Sequence, residues 1–149
     1  MATAPADTAF ATTGKKPGDR IQCVVVTPER TLVDEVVASV VLPLLDGQLG
    51  VLPGHSPLLG RLGYGELRTG TGAGANRYFI DGGFAQVRDD VVTVLTNRAI
   101  PVAQLDAATA QTELAKAKDR AVSGEYDATE RTRQMDRARA MIRVAAHKG

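Results

Sequence analysis

The sequence contains no tryptophan, a single cysteine and only 4% aromatic residues, and its formal net charge is +1. One cysteine cannot build a disulfide framework, and a nearly neutral chain selects neither nucleic acid nor a membrane surface by charge. We expect Cys23 to be buried and structural, because it lies in the apolar run 21–26 and free cysteine is among the most buried residue types. No apolar run approaches the roughly 20 residues that cross a bilayer.

Residues that could perform catalysis are also scarce, since the chain has only two histidines. His55 and His147 fall in different halves of the chain, and neither stands at the spacing of a metal site. Ser56 neighbours His55, but adjacent residues in a turn rarely point at each other, so no catalytic Ser-His pair is expected. We therefore predict no catalytic residue, no metal and no cofactor, and we expect His55 to be a packing or contact residue.

Short β-branched and apolar segments separated by turn residues fill the chain from Ile21 to Ile100. Pro43 is expected to end the second segment, Gly82-Gly83 to form a bulge or tight corner, and residues 70–76 to form a hairpin tip. This spacing predicts a β-sandwich or flattened barrel of about ten short strands. The clearest predicted strands are Ile21–Thr27, Thr31–Leu42, Gly65–Thr69, Arg77–Asp81, Phe84–Arg88 and Val91–Thr96.

The run from Gly47 to Leu59 has three glycines and two prolines in thirteen positions, with apolar residues between them. Such a run cannot form a helix or a long uninterrupted strand, so we expect short strands and tight corners. Its larger apolar residues are expected to be buried: Leu49, Val51, Leu52, Leu58 and Leu59.

After Pro101 the pattern changes to alanine-rich segments with helical periodicity. One stripe comprises Ala107, Ala110, Leu114, Ala117 and Ala121, and a second comprises Met135, Ala138, Ile142 and Ala145. The turn residues 123–125 separate them, which predicts an antiparallel two-helix hairpin. Because both faces are thin, the hairpin should bury little area and should be able to dock in more than one place.

Three regions follow from these patterns: a disordered tail over 1–20, a β-sandwich over 21–101 and a helical hairpin over 102–149. The segment 127–149 contains six Lys/Arg and three Asp/Glu residues, so its net charge is 6 − 3 = +3. Either this charge forms a solvated face with intrahelical ion pairs, or it docks on an acidic partner. The basic residues within the helix are Arg131, Arg133, Arg137, Arg139 and Arg143.

Three segments of this sequence resemble the epsilon subunits of bacterial F-type ATP synthases, whose mitochondrial equivalent is called delta. Residues 47–59 are similar to the family pattern G-x-L-G-(I/V)-x-P-G-H-(A/S)-P-L-L. Residues 79–87 are similar to its F-x-x-x-G-G-(F/I)-x-x-V, and residues 91–99 to its V-T-V-L-(A)-x-x-A. The resemblance covers about residues 21–146, and the order and spacing of the segments also match.

The resemblance implies a non-catalytic rotor subunit in the central stalk of a proton-translocating synthase. The sandwich would bind the gamma subunit and the c-subunit ring, without nucleic acid, and would meet the membrane only through the complex. The basic second helix would extend toward the catalytic alpha and beta subunits and inhibit ATP hydrolysis. The implied location is the cytoplasmic face of the bacterial plasma membrane.

The resemblance also assigns roles to individual positions. Gln48 and His55 match a loop that faces the c ring, although Gln48 replaces an acidic residue common there. Some members bind ATP through the motif (I/L)-D-x-x-R-A and an acid after the last strand. Here Asp106 is kept, but Thr109 replaces the arginine and Asn97 the acid, so we predict weak or absent ATP binding, because threonine cannot form an arginine's bidentate bonds to phosphate.

Two other functions remain open at this point. One is a free-standing adaptor made of a β-domain with a helical arm. The other is a small β-domain enzyme that uses His55 with a carboxylate, which would need a pocket with convergent polar groups.

Overall fold

The computed structural model describes residues 20–147, which form eight strands followed by two α-helices. The predicted class, a β-sandwich followed by a two-helix hairpin, is confirmed, although the strands are fewer than the expected ten or so. All but Arg20 of the predicted tail lies outside the described residues. The strands are β1 Ile21–Val26, β2 Thr31–Val37, β3 Val40–Leu44, β4 Gly47–Val51, β5 Leu58–Thr69, β6 Asn76–Arg88, β7 Val91–Leu95 and β8 Ala99–Pro101. The helices are α1 Ala107–Asp119 and α2 Glu125–Ala146.

The strands pair in the order β2-β1-β7-β6-β5-β3-β4, and β8 also pairs with β6. β5 and β6 form a long antiparallel hairpin that keeps one register from Leu58–Val87 to Thr69–Asn76. One half of β6 pairs with β7 and the other half with β8, while β3 pairs with β5 at Leu62 and at residues 68–69. The long hairpin therefore contributes to both layers and carries the sheet from one layer into the other.

Two predicted strand boundaries are wrong, and both errors concern residues that usually interrupt strands. The segment Thr31–Leu42 is two strands, because the chain leaves the sheet at residues 38–39. Pro43 does not end the second of them but lies inside β3. Proline is tolerated there because the β3–β5 register is irregular between Val41 and Leu44, where a missing amide hydrogen costs least.

The predicted short strands around the glycines are parts of longer ones. The expected Gly65–Thr69 strand is the end of β5, and the two expected strands on either side of Gly82-Gly83 are both β6. Continuous cross-strand pairing overrides the weak strand propensity of glycine. The Gly82-Gly83 pair is a corner without a register shift, with φ angles of 68° and 114°.

The main core lies between the two layers of the sandwich. Its side chains come from the inward-facing positions of β1 to β7, as alternation along half-buried strands requires. Leu42, Leu67 and Ile80 are among its largest fully buried residues, and Cys23 is buried with them as expected.

A second, smaller core lies under the helical hairpin. Phe79 of β6 and Val102 and Leu105 of the connection pack there against α1 and α2. Of the predicted helix stripes, Ala110, Ala117, Ala138 and Ala145 are buried. The prediction that Ala121 belongs to the first stripe is wrong, because α1 ends at Asp119 and Ala121 is exposed in the connection between the helices.

Candidate functional site

The hairpin is docked on the sandwich through the second half of α2, which packs against β5 and β6. Met141 and Val144 are the larger buried α2 side chains in this contact, and Ala140 and Ala145 complete it. At about 25 cal/mol per Å² of buried apolar surface, four buried α2 side chains, two of them alanine, contribute only a modest stabilisation. The interface is thus small and mostly non-directional, which gives any polar contact across it more weight.

A buried carboxylate lies where α2 meets the sandwich. The Asp81 side chain is 7% exposed, and its Oδ2 is 3.3 Å from Arg137 Nη1 on α2. The same oxygen is 3.8 Å from Nε of Arg98, and the Asp81 amide donates to the Arg98 carbonyl at 3.1 Å. Buried charges persist when they are paired, so the two guanidiniums explain how a carboxylate is retained here.

Tyr64 of β5 stands opposite Asp81 in the strand pairing and lies along the same junction. Burial raises the pKa of its hydroxyl, and the Asp81 carboxylate raises it further, while Arg133 and Arg137 lower it. The ring lines a groove with Thr132, Arg133 and other residues of α2, so Tyr64 is part of the surface on which this helix is docked.

Arg131 performs a different task, because it joins the two helices of the hairpin. Its Nη2 donates to the carbonyl of Lys118 at 2.8 Å, and its Nε donates to that of Ala117 at 3.2 Å. These carbonyls belong to the last turn of α1, where backbone acceptors lack helical partners and the helix dipole favours a cation. Arg131 therefore caps α1 from α2.

The other three predicted basic residues face solvent. Arg133 pairs with Glu130 at 3.3 Å and Arg139 with Asp136 at 3.8 Å, each within α2. Arg143 is also exposed, and its Nη2 lies 3.5 Å from the Tyr64 carbonyl. The five arginines thus divide between two that hold the structure together and three that form an exposed basic surface.

The run from Gly47 to Leu59 forms β4, a loop and the start of β5, as expected. Gln48 is exposed on β4 and lines a groove of about 530 Å³ with Arg143 and His147 of the α2 end. His55 lies half-buried in the loop, with Nδ1 2.7 Å from the carbonyl oxygen of Ser56. Of the two residues, only His55 lies in the loop, because Gln48 belongs to β4. Contact of Gln48 and His55 with a c ring stays a prediction.

The same loop is tied to the β6–β7 turn. The Gly54 amide donates to Oδ1 of Asp90 at 2.7 Å. Asp89 and Asp90 both have positive φ, 51° and 62°, as the two central residues of a type I′ hairpin turn require. This link fixes the position of the loop that carries His55.

Two of the five apolar residues of the run 47–59 that were expected to be buried are exposed instead, while Leu49 and Leu58 are partly buried against the core. Leu52 is 63% exposed and Leu59 73% exposed, whereas Val51 is buried. Strand pairing places Leu59 on the same face as Phe84 and Leu95, which are also exposed. We call Leu59, Phe84 and Leu95 the apolar sheet face; apolar residues gathered on one face are typical of a protein contact.

The degenerate ATP motif has a structural role at the start of α1. Asp106 is the N-cap, and its Oδ1 accepts the Ala108 amide at 3.0 Å. The Thr109 hydroxyl donates to Asp106 Oδ2 at 2.8 Å. Asn97 is exposed between β7 and β8 and lines a shallow groove with Phe84 and Leu95. Weak or absent ATP binding stays a prediction.

Sequence reasoning missed Asp81, Arg98 and Tyr64 as residues of the helix junction. The only available signal is Asp81 itself, because an acidic residue that directly follows Phe79 and Ile80 is unusual in a strand. Within residues 20–147 there is no group of three or more potential metal ligands. No helix in that range is long and apolar enough to cross a membrane.

Comparison with known proteins gives consistent matches. The family described as "ATP synthase, Delta/Epsilon chain, beta-sandwich domain" matches residues 20–102. The ATP synthase epsilon chain of Rhodopirellula baltica is 53% identical over 125 residues, covering 84% of this chain and 98% of that one. The epsilon chain of Granulibacter bethesdensis is 38% identical over 128 residues, covering 83% of this chain and 95% of that one.

Solved structures of low identity share the fold over nearly the whole chain. A chain of the Euglena gracilis mitochondrial ATP synthase (OSCP/F1/c-ring, rotational state 1) matches with a TM-score of 0.75 at 22% identity, covering 99% of this chain and 97% of that one. A chain of the Tetrahymena thermophila mitochondrial ATP synthase central stalk and c-ring matches with a TM-score of 0.68 at 13% identity, covering 89% and 99%.

Proposed function

The chain belongs to the delta/epsilon chain family of ATP synthases, and from this premise we propose that it is a non-catalytic subunit of the central stalk. In this role the sandwich binds the gamma subunit and the c-subunit ring, and the hairpin inhibits ATP hydrolysis when it extends to the catalytic alpha and beta subunits. The complex lies at the cytoplasmic face of the bacterial plasma membrane, and the chain meets the membrane only through it.

The contact with gamma is supported by the apolar sheet face. Phe84 and Leu95 are each about half exposed, on adjacent strands that belong to the rigid layer of the sandwich. Apolar side chains held on paired strands suit a contact that must transmit torque, because the sheet offers little freedom to rotate away.

The inhibitory arm is supported by one observation above the others, which is how the hairpin is attached. A small apolar cluster and one ion pair hold it, while Arg133, Arg139 and Arg143 already face solvent. An element with few apolar contacts can separate from the sandwich at a small cost in free energy, and its basic face can then bind an acidic partner.

The stalk assignment is tested by purifying the affinity-tagged chain from detergent-solubilised membranes. We expect gamma, the c subunits and the catalytic subunits to co-purify with it. A second experiment replaces Phe84 and Leu95 of the apolar sheet face with serine. This variant should co-purify less gamma without unfolding the sandwich. Recovery of the chain alone would favour a free-standing adaptor.

The enzyme alternative that uses His55 has little support. The described polar contact of the His55 ring is the carbonyl oxygen of Ser56, and the nearby Asp90 carboxylate accepts the Gly54 amide. This geometry is that of a fixed loop, and the proposal assigns no catalytic step to any residue of the chain.

A further inference from the structure

Asp81 Oδ2 receives one cation from each side of the junction between hairpin and sandwich. Arg137 approaches it from α2, and Arg98 approaches it from the β7–β8 connection. Among the ion pairs formed by residues 20–147, the Asp81–Arg137 pair is the one that crosses this junction. The hairpin is therefore attached by a single charged contact with a second cation already in place.

We propose that the Asp81–Arg137 ion pair is a latch that holds the hairpin on the sandwich, and that Arg98 keeps the Asp81 carboxylate paired when Arg137 leaves. A carboxylate that lost its only buried partner would strongly oppose the departure of α2. Arg98 removes this obstacle, because it belongs to the sandwich and its backbone carbonyl already binds the Asp81 amide at 3.1 Å. The latch can thus open without leaving a bare buried charge.

The latch matters because the remaining contacts across the junction do little to orient α2. The apolar contacts of α2 come from four buried side chains, Ala140, Met141, Val144 and Ala145, and apolar contacts are non-directional. The Arg143–Tyr64 contact, at 3.5 Å, lies beyond the usual hydrogen-bond range of 2.7–3.2 Å. The Arg137 side chain is 33% exposed, so it is held firmly enough to orient α2 and is accessible enough to exchange partners.

The latch also makes two uses of one side chain mutually exclusive. Arg137 is among the five arginines expected to face an acidic partner, and a guanidinium bound to Asp81 cannot reach that partner at the same time. Docking would thereby remove a basic residue from the inhibitory surface. This consequence rests on the proposed function, whereas the latch itself concerns the isolated chain.

The test compares hydrogen exchange of full-length variants by mass spectrometry. In Asp81→Asn the shape is kept and the charge removed, and we expect the α2 amides to exchange about tenfold faster or more, as for loss of a hydrogen bond to a charged group. Arg137→Gln should do the same from the other side. Arg139→Gln is the matched control, because it removes one charge from α2 at a residue whose ion-pair partner, Asp136, lies on the same helix.

A double variant separates a latch from general loss of charge. If the two residues act on each other, Asp81→Asn combined with Arg137→Gln should accelerate exchange no more than either change alone. The latch is overturned if both single variants leave α2 protected, if Arg139→Gln accelerates exchange equally, or if the two effects multiply. Should Asp81→Asn also expose β1 and β7, Arg137→Gln decides alone.

In the assembled complex, Asp81→Asn distinguishes failure of the latch from failure of the inhibitory role, because it breaks the ion pair and keeps all five arginines of α2. Faster α2 exchange with slower ATP hydrolysis supports both. Faster exchange with unchanged hydrolysis keeps the latch and contradicts the inhibition. Unchanged exchange overturns the latch, whatever the hydrolysis rate.

Discussion

At the scale of single residues, Cys23 makes stability depend on pH. Burial raises the pKa of its thiol from 9.0 to about 12, and Glu35 and Asp34 add to the effect. The folded chain therefore keeps the thiol proton where the unfolded chain loses it, so this stabilisation is complete below pH 9 and lost as the pH rises toward 12. We expect the free energy of unfolding to fall by about 1 kcal/mol from this group between pH 8 and 10.

Urea denaturation at several pH values measures this effect. Cys23→Ala is less stable at every pH because it leaves a small cavity, but its stability should fall less steeply between pH 8 and 10. The comparison stops at pH 10, because Tyr64 and Tyr78 also have raised pKa values and Cys23 contributes to that of Tyr78. Equal slopes in the two proteins would contradict the assignment to Cys23.

Gly83 cannot be replaced without strain, for two independent reasons. Its φ angle is +114°, and an added Cβ would collide with the carbonyl oxygen of Leu95 on β7. We expect Gly83→Ala to destabilise the chain by about 3 kcal/mol or more, measured by thermal unfolding. Gly50→Ala on the edge strand meets open space and should cost less than about 1 kcal/mol, so similar losses would refute this explanation.

At the scale of elements, Arg131 determines how well the two helices hold each other. Its two hydrogen bonds to the α1 carbonyls of Ala117 and Lys118 are lost in Arg131→Ala. We expect this change to weaken α1 by about 1–2 kcal/mol, seen as faster hydrogen exchange of the α1 amides. Arg133→Ala removes a charge two residues further along and should leave α1 protected; equal effects would show that Arg131 is no cap.

The order and type of the elements could be predicted from the sequence, but several boundaries could not. Runs of β-branched and apolar residues between turn residues predict β1 and β7, and alanine periodicity predicts both helices. Local propensity predicts strand ends at Pro43 and at the glycines of β5 and β6, because it does not contain the cross-strand pairing that overrides it.

The candidate site was predictable only in part, for the same reason. The sequence marked five arginines as one basic face, yet Arg131 and Arg137 are used within the molecule. The partner of Arg137 is Asp81, which is 56 positions away, and no local pattern links the two. Burial of Leu52 and Leu59 was expected from their apolar character, which does not say whether a side chain faces the core or solvent.

At the scale of the whole molecule, the chain consists of a sandwich with a large core and a hairpin packed on it through a smaller one. The main core is made entirely of sandwich residues, and the hairpin covers the smaller cluster around Phe79. Loss of the docked hairpin would therefore leave the body largely intact, because most of its buried area lies elsewhere. This separation is what a subunit needs if it must remain bound to a rotor while it changes its effect on catalysis.

The inhibitory role of the hairpin is tested most directly by ATP hydrolysis of the assembled complex with α2 removed. Complexes are compared with the full chain and with a chain lacking Asp127–Gly149, at equal content of the subunit. The account predicts faster hydrolysis in the truncated complex, while gamma and the c ring remain bound through the sandwich. An unchanged rate in a fully assembled complex would contradict it, because the basic arm would then have no inhibitory effect.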